Sequence, residues 1–463
     1  MLSITSRRMV TLCALVVGLI TCSSGSPASA QFGGSEQLIR ITWQNAADNS
    51  LHWGEFVQVG PSIVFQNQGR VADFPALEAN QSLGPMERIG NIMVMGVRGG
   101  AEGQPQGGWL ALDLRVIEQP HGDHSDYTYG GAPGVIQTVL DDSRLCPIHL
   151  YTYDREFYLA NDALNGFTRI NPRALLSGGD GAKGTFYRGG GGHITLATVG
   201  GKVGYSTWIG ETESGTGQVD VVNLDKPGEE SVAYSFESPT PGLHGAIANS
   251  GRVFLAPNDG IIWVDADATL SQTAESVSVN HLSLGTNPTD QTPNRTGAFT
   301  DHRDWVLFLS GRDDDAGLCM VQASAPAPSV AKLVVPTDPG LRMGMPECVT
   351  ALTGKNYAMA FQTKRAGDAV EKLTIIDLDP NQDRDFSDAM VVMTYDIGDG
   401  GVEGYRSYHS LCFDDDNRFA VFTNPADGEI CLLALDTLNL VGRYKVDGIP
   451  TGVLAIGGEA SKH

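Results

Sequence analysis

At 463 residues, with 41% hydrophobic content and 54 acidic against 31 basic side chains, the chain carries a formal charge of -23 and is long enough to bury a large core. That charge is spread without a basic cluster, which excludes nucleic acid and anionic membrane as natural partners and leaves cations and basic proteins. The 57 glycines and sparse helical periodicity argue for many short strands joined by tight turns.

In chain order, the first thirty residues read as a secretory signal: Arg7 and Arg8 form a basic start, Met9 to Thr21 an apolar core, and Ala28-Ser29-Ala30 a small-residue cleavage site. The apolar run is about 13 residues, short of the ~20 that cross a bilayer, and no later stretch approaches that length. Residues 1–30 are therefore expected to be removed and 31–463 to fold as one domain in the periplasm or outside the cell. Two variants stay open: Leu19-Ile20-Thr21-Cys22 is close to a lipoprotein box that would anchor the chain through Cys22, and Ser6-Arg7-Arg8 resembles a twin-arginine signal. Cleavage would take the charge to about -25 by removing two arginines. It would leave five cysteines (Cys146, Cys319, Cys348, Cys412, Cys431) without a CxxC pair.

From residue 37 onward, short runs rich in Val, Ile, Phe, Tyr and Thr alternate with Gly, Asn and Asp turns. "LIRITW…LHWGEFVQVG…SIVFQNQ" and "IGNIMVMGVRGG…GGWLALDLRV" open the series. Six stretches starting at 149, 193, 244, 296, 348 and 409 then share one pattern: a short apolar strand, a polar turn, a stronger strand, and a third such as "GQVDVVNLD", "GIIWVDAD", "KLTIIDLD" or "EICLLALD". A unit of this size cannot bury its own face, and radial repetition solves that. The expectation is an all-β fold: one β-propeller of four-stranded antiparallel blades, eight in number with seven as the alternative. The segment "TGVLAIGG" (451 to 458) reads as a lone inner strand that closes the ring on the N-terminal strands.

Between these units lies "QPHGDHSDYTYGG", residues 119 to 131, which the turn formers Pro120, Gly122, Gly130 and Gly131 mark as an exposed loop between two blades. His121 and His124, with Asp123 between them, can offer two nitrogens and a carboxylate to a cation; alone, the tetrapeptide is equally a polar loop. Further along, "GGDGAKGTFYRGGGG" (178 to 192) fails the phosphate-loop spacing and reads as an inter-blade connection.

Four of the ten histidines (His149, His193, His244, His409) begin the first strand of their units. In a propeller that strand lines the central channel, so four imidazoles separated by more than forty residues would converge on one axial mouth. Neutral imidazoles so grouped suit Zn²⁺, Cu²⁺ or Ni²⁺, whereas any one of them singly could simply bond a neighbouring carbonyl. His302 sits in the turn after its first strand and is a secondary candidate.

Several of these residues lie in segments that resemble the periplasmic zinc metallochaperones of the AztD type. These segments are "HGDHSDY" (121 to 127), "CPIHLYTYDREFYLANDALNGFTRINPRAL" (146 to 175), "PGLHGAIANSGRVFLAPNDGIIWVD" (241 to 265) and "NRTGAFTDHRDWVLFL" (294 to 309). The resemblance covers residues 115 to 310 well and the rest loosely. It implies a secreted propeller that binds zinc and hands it to the solute-binding protein of a zinc importer, with His121, His124, His149, His193, His244 and His409 as ligands and the His121–His124 loop closing over the axial site. It departs where Ser125-Asp126-Tyr127 replaces a further histidine and where "GGGGHITLA" carries one histidine rather than a pair. A monomer without catalytic chemistry is the expectation.

Two other functions compete. A metal-dependent, lactonase-like hydrolase would need a carboxylate beside the ion, with Asp123 or Glu347 as candidates. An interaction scaffold would hold no metal. Separately, Asp379, Asn381, Asp383 and Asp385 in "DPNQDRDFSD" have the alternating oxygens of a calcium loop, but Arg384 stands where glycine is needed and no glutamate follows. In "MGMPEC" (343 to 348) two methionines and Cys348 are soft donors that core filling also explains.

Overall fold

The short runs that alternate with turn residues become strands of eight antiparallel sheets set around one axis. The computed structural model describes residues 35–99, 107–122, 124–141, 147, 149–210, 216–365 and 367–458; the signal segment with Cys22, and Asp123, Cys146 and His463, lie outside these. Numbering blades along the chain, the innermost strands of blades 2 to 8 are Ser82–Ile89, Leu150–Tyr153, Leu196–Val199, Ala246–Asn249, Thr300–His302, Glu347–Thr350 and Leu411–Phe413. Each touches the next around the ring. The remaining innermost strand, Pro450–Ile456, touches its neighbours on both sides and pairs antiparallel with Ser35–Asn45, so blade 1 is built from both ends of the fold, as the isolated "TGVLAIGG" implied.

What holds the ring is the space between blades. Eight apolar clusters occupy the eight blade interfaces, and alternate residues of one strand feed two of them. In Arg252–Leu255 of blade 5, Val253 and Leu255 face blade 4 while Phe254 faces blade 6. With both faces covered, second and third strands read as continuous apolar runs rather than an alternation.

Three segments depart from the sequence reading. Residues 117 to 131 do not join two blades; they are inserted between the third and fourth strands of blade 2, Gly107–Asp113 and Gly134–Asp141, and form a hairpin of Val116–His121 with His124–Tyr129. Within 178 to 192 lies the fourth strand of blade 3, Thr185–Arg188, which pairs with Gly166–Ile170. The Met343 to Cys348 stretch gives blade 7 a fifth strand: Leu341–Met343 and Glu347–Thr350 both pair with Asn356–Lys364.

First strands all run the same way along the axis, so one face carries their starts and the other their ends. We call these the start face and the end face.

Candidate metal centre

His149 precedes the first strand of blade 3 by one residue, His193 that of blade 4 by three, and His244 that of blade 5 by two. Three consecutive blades therefore bring three imidazoles to one side of the channel on the start face. Their ligand nitrogens all lie within 4.8 Å of one another, and each ring is half-buried. Ring centroids are 4.8 Å apart for His149 and His193, 5.0 Å for His193 and His244, and 5.8 Å for His149 and His244.

The outer nitrogens of two rings are already engaged. His193 donates from Nδ1 to Asp162 Oδ2 at 2.8 Å, and Asp162 Oδ1 accepts the Ile194 amide at 3.2 Å. His244 donates from Nδ1 to the Gly297 carbonyl at 2.7 Å. With the proton on Nδ1, each neutral ring is left with a lone pair on Nε2, and Asp162 fixes the orientation of His193 as outer partners of metal-bound histidines do. His149 Nε2 stands 3.0 Å from His193 Nε2. With His193 accepting there, His149 is the donor from Nε2; two nitrogens on one tetrahedral zinc are about 3.3 Å apart, given bonds of ~2.0–2.1 Å, so an entering ion displaces that proton with little movement of the rings. Burial, then the neighbouring His193 and His244 and the Arg98 charge, push the His149 pKa down to about 3, which keeps this ring neutral. Three nitrogens leave a fourth position open to water or to an incoming ligand.

Next to the trio, His149 stacks on Tyr151 at 5.9 Å and Tyr151 on Tyr153 at 6.0 Å, alternate residues of one strand that pack against the apolar cluster between blades 3 and 4.

His409, although at the equivalent repeat position, does not join the trio. It belongs to blade 8, across the channel, and is buried; Nδ1 faces the Thr423 carbonyl at 2.8 Å, Nε2 faces Glu371 Oε2 at 2.8 Å, and the ring stacks on Phe361. Both nitrogens are spent, and the ring ties blade 8 to blade 7. His302 is also apart, with Nε2 3.0 Å from both Asn356 Oδ1 and Thr350 Oγ1.

His121 and His124 form the last pair of their hairpin, across a turn where Gly122 takes the left-handed conformation at φ +68°. Asp126 lies 3.7 Å from His121 Nδ1 and 3.9 Å from His124 Nε2, so the tip carries a second ligand set made with Asp126; Asp123 is outside the described residues. This set does not cover the trio. The hairpin leaves blade 2 at the end face, where the Leu114 amide meets the Asn91 carbonyl in the turn that follows the first strand. Its Tyr127 hydroxyl reaches Asp416 at 3.4 Å, in the corresponding turn of blade 8. The His121–His124 loop was expected to close over the axial site; strand direction instead places the two sets on opposite faces.

The hairpin base sits in a socket. Arg40, 1% exposed, pairs with Glu55 at 2.5 Å and donates to the carbonyls of Leu114, Gly130 and Gly131 at 2.6, 3.0 and 2.9 Å. Its guanidinium lies over Trp53, and the Tyr129 hydroxyl donates to the Leu38 carbonyl at 2.7 Å.

The calcium-like segment uses its oxygens on itself: both oxygens of Asp379 accept the Arg384 amide at 3.2 Å, and Asp385 Oδ1 accepts the Ser387 amide at 2.9 Å. Among the described residues, only the trio and the hairpin tip gather three metal-ligating groups. Burial raises the Cys348 thiol well above its usual range, and among the described residues it shares no group of three ligand atoms with other metal donors.

Fold and site together define an eight-bladed β-propeller with a three-histidine cluster at one axial mouth. Among solved structures the chain is similar to AztD from Citrobacter koseri: one crystal structure at 15% identity and TM-score 0.59, and the apo structure at 14% and 0.56, each covering 92% of this chain and 100% of the other. It is also similar, at 12% identity and TM-score 0.50, to the dihydro-heme d1 dehydrogenase NirN in complex with DHE, covering 93% of this chain and 77% of that one. At such identities the likeness establishes the fold, an AztD-type β-propeller. No family profile and no curated protein matches the sequence.

Proposed function

We propose that this protein is a zinc metallochaperone of the periplasm or extracellular space, which binds Zn²⁺ at His149, His193 and His244 and passes it to the solute-binding protein of a zinc importer. The observation that carries this reading is the arrangement of the trio: Asp162 and Gly297 accept from Nδ1 of His193 and His244, which leaves Nε2 of each ring as its acceptor, and His193 Nε2 faces His149 Nε2 at 3.0 Å. Imidazole-only ligation selects a borderline ion such as zinc over calcium or magnesium. The open fourth position suits transfer, because a partner's ligand can enter before a histidine leaves. The hairpin pair, His121 and His124 with Asp126, is a second zinc-holding point on the far face, suited to acquisition rather than closure. No reaction step is assigned; the protein is read as a carrier that acts as a monomer.

Elemental analysis of untagged, full-length protein tests this. About one zinc per chain is expected, lost in a His149→Ala, His244→Ala double variant. Metal-free protein that also fails to take up added zinc sinks the reading.

A further inference from the structure

The lip of the channel mouth beside the trio specifies what fills the open fourth position. Arg295 lies in the connection from the fourth strand of blade 5, Asn280–Ser283, to the first strand of blade 6. Its guanidinium donates from Nη2 to the Gly242 carbonyl at 3.3 Å and from Nη1 to Asn258 Oδ1. Gly242 precedes His244 by two residues, and Gly297, two residues beyond Arg295, accepts from the His244 ring. Arg295 and Gly297 thus grip the segment that carries His244 at two points. That segment is itself fixed: the Asn258 and His244 amides donate to the carbonyls of Pro241 and Ala256, both at 3.0 Å, and Gly242 holds φ +81°, where a Cβ would run into the Asn258 side chain. The guanidinium is therefore held next to His244 by neutral acceptors, with its remaining N–H groups uncommitted among the described residues. It forms no ion pair among them, in a chain with 54 acidic against 31 basic side chains. The acids of the neighbouring turns are engaged, Asp162 with His193 and the Ile194 amide, Asp259 with Thr240 at 2.8 Å and His281 at 3.2 Å. On the other flank, Arg98 closes the second strand of blade 2 opposite Ser82, where the first strand starts, and its charge contributes to the depressed His149 pKa. Two guanidinium groups thus flank a site for a dication.

We propose that the fourth position of the trio takes a carboxylate, which Arg295 selects and orients. One carboxylate oxygen meets the metal, and the other accepts from the uncommitted edge of the guanidinium. Like charges at the mouth repel an incoming dication, and an anion between them removes that conflict, whereas a neutral imidazole or a water leaves it. Hydrogen bonds from arginine to a carboxylate are charge-assisted and held by a planar fork, which gives direction as well as attraction. Arg295 acts in this way only if the trio holds zinc, as proposed above; what it adds is the chemistry of the acceptor. The carboxylate's own electron pair forms the Zn–O bond; a Zn–Nε2 bond then breaks and its pair returns to the imidazole, so no oxidation state changes. The carboxylate belongs to a side chain of the receiving protein, and a free small carboxylate is the other source of the same group.

Full-length protein is loaded with zinc and challenged in turn with nitrilotriacetate, which enters through carboxylates, and with terpyridine, which offers neutral nitrogens. Arg295→Met is expected to slow removal by nitrilotriacetate at least tenfold and to leave removal by terpyridine within about twofold of the parent. Arg295→Lys, which keeps the charge without the fork, is expected to fall between the two for nitrilotriacetate. If Arg295 only holds the His244 segment, both rates change together; that result, or an unchanged nitrilotriacetate rate, overturns the proposal. The source of the carboxylate is read from Co²⁺-loaded protein titrated with acetate and followed by its visible spectrum. Half-saturation below about 1 mM assigns a free carboxylate, and weaker binding a side chain delivered by the receiving protein; no spectral change up to about 100 mM overturns the proposal. A parent that takes up no metal fails the zinc reading before any chelator is added, whereas equal nitrilotriacetate rates in loaded parent and loaded Arg295→Met fail this proposal alone.

Discussion

Replacing Asp162 with Asn tests the metal centre without touching a ligand. The native carboxylate accepts two hydrogen bonds at once, from His193 Nδ1 at 2.8 Å and from the Ile194 amide at 3.2 Å. An asparagine offers one oxygen and one amide nitrogen to those two donors. If the oxygen turns to Ile194, the NH₂ group meets Nδ1 and drives the proton to Nε2, which removes the lone pair from the metal side. If the oxygen turns to His193, the Ile194 amide is left facing a donor and the charge-assisted hydrogen bond to the ring becomes a neutral one. Losing a charge-assisted hydrogen bond costs ~1.5–3 kcal/mol, and outer-shell partners of metal-bound histidines are worth about 10–100-fold in affinity, or ~1.4–2.7 kcal/mol. The two figures agree. Competitive titration of Zn²⁺ against a chromophoric chelator should therefore show affinity lower by one to two decades in Asp162→Asn, with the circular dichroism spectrum preserved. Unchanged affinity would falsify the claim that Asp162 orients His193 for a metal.

Three further outcomes are expected. His121→Ala, His124→Ala should leave zinc affinity at the trio within about twofold in the same titration, because the hairpin leaves the opposite face; a loss comparable to that of Asp162→Asn would restore the lid. Arg40→Met should destabilise the fold by about 3–5 kcal/mol in urea, since Glu55, 5% exposed, would keep a buried charge without its partner, and the hairpin should become sensitive to protease; a change below ~1 kcal/mol argues against the socket. The metal-free protein should lose stability as pH falls from ~6.5 towards about 3, because His149 has its folded pKa depressed and the unfolded chain takes up the proton first. This contribution is fully present above ~6.5, so urea midpoints across pH 4 to 7 should fall less steeply in His149→Phe.

The fold was legible because each blade writes the same local grammar: a short apolar strand, a polar turn, and two runs that are apolar on both faces because neighbouring blades cover both. The eighth blade came from a strand with no partner near it in sequence, Pro450–Ile456. Repeat position also placed His149, His193 and His244 at one mouth. It could not decide what happened to His409, since equivalent positions share a height and a radius but differ in angle around the axis. Blades 3, 4 and 5 are adjacent, whereas blade 8 stands across the channel, where Glu371 and the Thr423 carbonyl claim the ring. Asp162 was missed because 31 residues separate it from His193 and a lone Asp in a turn carries no signal. The hairpin was missed because Pro120 and its polar neighbours argue against a strand; in an exposed two-stranded ribbon, proline is tolerated. Polar composition correctly showed exposure but not which face it was on.

The seam of blade 1 has a consequence for how the molecule comes into being. Gln44 and Thr451, which bond across it, are 407 residues apart in sequence, so the clasp that completes the ring can be fastened only after almost the whole chain is available, a slow and late event. Arg40 lies on one side of that clasp and grips the hairpin base, and the Tyr129 hydroxyl bridges Leu38 on one side and Gly458 on the other. Fastening the clasp and seating the arm are thus one act. An unfinished ring has no seated arm to offer a cation, and the outward position of His121 and His124 becomes a mark of a completed molecule.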